Sequence, residues 1–136
     1  MRAELEAVQS ALEVLGRDVF LGAVLLASDE VPPDAYYLVE VAGGDRLDDM
    51  PLSEESSAWE LTVRVKAVAG TSEAAMTHLS AGRDVLVPGG VFAPLTVTGR
   101  AVVVRFARHE ADYVDRDVTP PKFICLDTYT LTSVPA

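Results

Sequence analysis

Asparagine is absent from this chain, isoleucine occurs once, at Ile124, and lysine occurs twice, at Lys66 and Lys122. All three residue types use AT-rich codons, so a GC-rich genome is indicated, which bears on origin and not on mechanism. Cysteine also occurs once, at Cys125. A lone thiol makes no internal disulfide and builds no zinc site by itself. It sits in the apolar run Phe123-Ile124-Cys125-Leu126, where a buried, inert thiol is expected rather than a nucleophile. The two histidines, His78 and His109, have no second histidine or cysteine at ligand spacing, and both read as solvated side chains. No apolar run reaches the ~20 residues that a membrane-crossing helix needs. The opening Met1-Arg2-Ala3-Glu4-Leu5-Glu6 carries acids where a signal peptide would be apolar, so neither secretion nor a membrane partner is expected.

Bases are scarce in one region above all. The net charge is −10, and residues 29–60 alone hold ten acids against the single base Arg46. Such a segment repels nucleic acid, and as a solvated loop it would serve solubility. The 136 residues fit one domain, 1–136, with a core of its own, and 49% apolar residues exclude wholesale disorder.

What is present reads as secondary structure. Leu5, Val8, Leu12 and Leu15 recur at helical spacing over Arg2 to Leu15, and Gly16 is a natural stop. Val19 to Ala27 and Tyr36 to Ala42 read as strands, the second ended by Gly43-Gly44. Residues 43–57 form an acidic loop without period; its Leu47, Met50 and Leu52 are either incidental or ordered against a neighbouring subunit. Trp59 to Ala69 alternates, with Trp59, Leu61, Val63, Val65, Ala67 and Ala69 on one face. Thr71 or Ser72 caps a second helix that Pro88-Gly89-Gly90 ends. Leu95 to Ala107 follows, with a turn or bulge at Gly99-Arg100. Arg108 to Pro121 reads as a polar connection, and Lys122 to Val134 as the last strand. The expected fold is therefore α+β: a mixed, mainly antiparallel sheet of about five strands with two helices packed on it.

Reactive constellations are sparse. Asp112, Asp115 and Asp117 lack the central glycine and closing glutamate of a calcium loop, and read as a charged turn with Arg116 as counter-charge. Glu40 and Glu60 form a conceivable carboxylate pair, but nothing places them in a cleft. No Gly-x-Ser-x-Gly and no phosphate-cradling glycine loop occurs. No catalytic residue, metal or cofactor is expected.

With the elements in order, the chain resembles the tail terminator (tail completion) proteins of long-tailed bacteriophages, the lambda-like terminator group. The residues that carry the likeness are the helix Ala7-Val8-Gln9-Ser10-Ala11-Leu12, the strand Ala35-Tyr36-Tyr37-Leu38-Val39-Glu40-Val41, and Trp59-Glu60-Leu61-Thr62-Val63-Arg64-Val65 passing through Gly70-Thr71-Ser72-Glu73-Ala74 into a helix. Asp127-Thr128-Tyr129-Thr130-Leu131 completes it. The resemblance implies a virion structural protein, a homohexameric ring that caps the tail tube at the tail–neck junction after assembly in the host cytoplasm. Its implied partners are copies of itself, the tube protein and the head–tail connector, with DNA as passing cargo only. On that reading Leu47, Met50, Leu52 and Trp59 are the candidate interface, and Asp45, Asp48, Asp49, Glu54 and Glu55 a candidate acidic lumen. The alternatives are another neck protein, or a small acidic α+β enzyme or binding domain.

Overall fold

The computed structural model describes residues 2–22, 33–46 and 58–136. Along the chain run α1 (Arg2–Glu13), β1 (Asp18–Leu21), β2 (Tyr36–Arg46), β3 (Trp59–Ala69), α2 (Ser72–Leu86), β4 (Phe92–Val97), β5 (Arg100–Asp115) and β6 (Lys122–Pro135). The fold is α+β. The strands form one sheet in the order β1-β2-β3-β6-β5-β4, in which only β1 and β2 run parallel.

Six strands replace the expected five, because one expected strand is two. Gly99, at φ +75°, closes a hairpin and splits Leu95–Ala107 into β4 and β5. Left-handed backbone is open to glycine without a Cβ clash, which is why the turn falls there. Of the expected polar connection Arg108 to Pro121, residues 108–115 are instead the far half of β5, paired with β6 down to Asp115, and only 116–121 connect the two strands. The expected Gly43-Gly44 stop is also overridden: β2 continues to Arg46 past an irregularity between Val41 and Gly43. β1 ends at Leu21, and the rest of the expected Val19–Ala27 strand lies outside the described residues.

Both helices pack on one face. Val8 and Leu12 of α1, with Ala75, Leu79 and Leu86 of α2, meet Tyr37, Val39, Leu61, Val63, Val65, Val104, Tyr129 and Leu131. The alternation of β3 is as the sequence implies, with Leu61, Val63, Val65, Ala67 and Ala69 buried, and Val68 buried as well. The Tyr37 hydroxyl donates to the His78 carbonyl, fixing α2 to β2. Thr71 caps α2 by accepting from the Ala74 amide at 3.1 Å. At the other end, buried Glu4 accepts from Ser133 Oγ at 2.8 Å, and Arg100 donates to the same hydroxyl at 2.9 Å, so α1's first turn is tied to β6 and β5. Among the described residues no helix covers the opposite face of the sheet.

Candidate assembly surface

The helix-free face is set by strand register. Opposite the core-facing Val104 and Phe106, Arg105 and Arg108 of β5 point the other way, in line with Thr130 and Thr128 of β6. Arg64 of β3 stands beside Thr128, and Phe92 of β4 beside Arg105. The Arg105 guanidinium lies 5.6 Å over the Phe92 ring, which is 57% exposed. Glu110 pairs with Arg108 at 2.8 Å and with Arg64 at 3.4 Å. Further along, Lys66 pairs with Glu40 at 2.7 Å, so Glu40 is a salt-bridge partner and not half of a carboxylate pair with Glu60. Thr128 is fully buried on this face, which no helix covers among the described residues.

β5 bulges twice, skipping Ala107 and Glu110 in the register with β6. Each bulge resets the side-chain alternation. As a result His109 lands opposite Asp127, and Asp112 opposite Cys125, all on the helix side. There they build a polar clasp. Arg83 of α2 grips the fully buried Asp127 with both Nε and Nη2, at 2.8–2.9 Å, and stacks 4.3 Å from the Phe106 ring centre. His109 places Nδ1 2.9 Å from Asp127 Oδ1 and Nε2 3.0 Å from Asp112 Oδ1. Both ring nitrogens face carboxylates, and only the imidazolium donates from both. The Asp127 hydrogen bond foremost, then Asp112, raises the His109 pKa. His109 is thus held between two carboxylates while its side chain stays 35% exposed, in keeping with a solvated histidine, and Asp112 answers it rather than Arg116.

The clasp superficially resembles a thiol–imidazole–carboxylate set, since Cys125 lies next to Asp112. Burial foremost, then the Asp112 charge, pushes the Cys125 thiol up to about 12. A thiol that holds its proton is a poor nucleophile, and His109 has no nitrogen left to accept that proton. The geometry holds strands and helix together; it does not poise a proton for transfer. Among the described residues no group of His, Cys, Asp and Glu is arranged to hold a metal ion.

Of the residues singled out in the sequence, Trp59 opens β3 and pairs with Arg46 and Ser133. It is partly buried rather than fully exposed. Asp45 lies in β2 opposite Glu60. Leu47, Met50, Leu52, Asp48, Asp49, Glu54 and Glu55 lie outside the described residues. The clasp and the Arg64–Arg105–Arg108–Phe92 patch were not singled out. Their one sequence signal is the run Arg105-Phe106-Ala107-Arg108-His109-Glu110, whose second half, from Arg108, is too polar and irregular to look like a strand.

No family model matches the chain, and no curated protein matches it. Its fold is similar to that of a solved chain from the virion of a native gene transfer agent particle. The TM-score is 0.55 at 16% identity, over 94% of this chain and 92% of that one. At that identity the likeness establishes a shared fold.

Proposed function

We propose that this chain is a structural subunit of a phage-like particle, and specifically a tail terminator: a ring of about six copies that closes the tail tube and joins it to the head. The observation that carries the reading is the shared fold, which spans nearly the whole of both chains and belongs to a component of a virion. The terminator-like order of elements narrows it from virion component to tail end. The partners on this reading are further copies of the chain, the tube protein below and the connector above, with DNA passing through. The chain works by binding and carries no catalytic residue. A helix-free sheet face and a rigid clasp suit a part that must present one fixed surface to its neighbours.

The reading is tested by adding purified protein to tail tubes assembled from the tube protein of the same gene cluster. Tubes should stop growing and carry a cap at one end. Tubes that grow to unlimited length with no bound protein would rule the role out.

A further inference from the structure

Resting on the ring reading above, we propose that the helix-free face at the β4–β5 end seats residues 47–57 of a second copy of this chain. Segment and face are complementary in charge and in apolar surface. Residues 47–57, Leu47-Asp48-Asp49-Met50-Pro51-Leu52-Ser53-Glu54-Glu55-Ser56-Ser57, hold four acids and no base, with three large apolar side chains among them. The face opposite offers the converse. Arg64 of β3 and Arg105 and Arg108 of β5 stand on one face, with Glu110 as the acid between Arg64 and Arg108. Arg105 has no acidic partner among the described residues, and its guanidinium is left over the exposed Phe92 ring. Val91 beside it is 64% exposed. In a protein of net charge −10, guanidiniums beside exposed apolar side chains fit an acidic, apolar-studded strand of chain.

A patch on one side of the molecule that binds a segment from elsewhere on a neighbour makes a head-to-tail contact, and such contacts close into a ring when the rotation between copies closes and run on as filaments when it does not. Two copies joined this way still leave one free patch and one free segment, so addition continues until the ring shuts.

The test is a charge swap read by light scattering after size exclusion. One variant carries R105E and R108E; the other carries D48K, D49K, E54K and E55K. Each alone sets like charges against each other at every contact and should run at about one sixth of the wild-type mass. Mixed in equal amounts they alternate, every contact is again complementary, and the wild-type mass should return. If a segment sat on its own chain's patch, mixing would restore nothing, and that result overturns the proposal. A wild-type ring that survives in either variant alone also overturns it, while leaving the ring reading standing. A wild type that stays monomeric overturns both. Should charge reversal unfold the chain, R105Q with R108Q carries the same test, with loss of the ring expected and an intact ring overturning the proposal.

Discussion

At the residue scale, the clasp makes the sharpest demands. Asp127 is fully buried and answers two cations, Arg83 and His109. Removing one partner of a buried ion pair leaves uncompensated charge. Because Arg83 and His109 stay about a third exposed, Asp127→Ala should cost about 1–3 kcal/mol in chemical denaturation through lost charge-assisted hydrogen bonds, whereas a loss within the error of the wild-type value would show the clasp to be incidental. The pH dependence has a defined sign. The folded His109 pKa lies above its ordinary 6.5, so its stabilisation is complete below about that value and is lost as pH rises through the raised one. The midpoint difference between wild type and His109→Gln should shrink across that window on going to higher pH. A difference that widens with pH would contradict the assignment. Cys125, buried and with its thiol pushed up to about 12, should react slowly with a thiol reagent in the native state and quickly once unfolded. The buried thiol was legible from its apolar run. The pairing of His109 with Asp127 was not, because nothing in Arg108-His109-Glu110 announces two bulges that set this residue opposite Asp127.

At the element scale, the two helices, β3 and β6 were legible. The helices and β3 each have a periodic apolar face, and β6 is rich in strand-forming threonine, tyrosine and leucine; the core is built from these elements. The far half of β5 was not. It pairs only with β6 beyond Phe106, so most of its side chains on either face are solvent-exposed and its sequence has no apolar alternation to read. Gly99 was legible as a breaker, but only the register shows that it separates two paired strands. Gly82, inside α2, is a close-packing position. A Cβ there would come 3.2 Å from Leu12 Cδ2 and 3.4 Å from Tyr37 Cε1, so the missing side chain lets α1 and α2 close over Tyr37. Gly82→Leu should lower stability by about 1–3 kcal/mol through overpacking. A thermal midpoint equal to that of wild type would mean that the two helices separate easily.

At the scale of the whole molecule, the charge imbalance sets behaviour toward DNA. Residues 29–60 carry ten acids and one base, and repulsion acts within a Debye length of roughly 8 Å at physiological salt. DNA moving past such a protein would not stick, and a low-salt gel shift should show no saturable binding at micromolar protein. Tight, salt-sensitive binding would instead mark Arg64, Arg105 and Arg108 as a phosphate-binding face. The central claim is that this small α+β chain exists to assemble, and images of the purified protein test it most directly. Electron-microscopy class averages should show closed rings of about six copies around a central hole. Averages containing only compact 14.5 kDa particles or open, unclosed chains, at every protein concentration, would contradict the account.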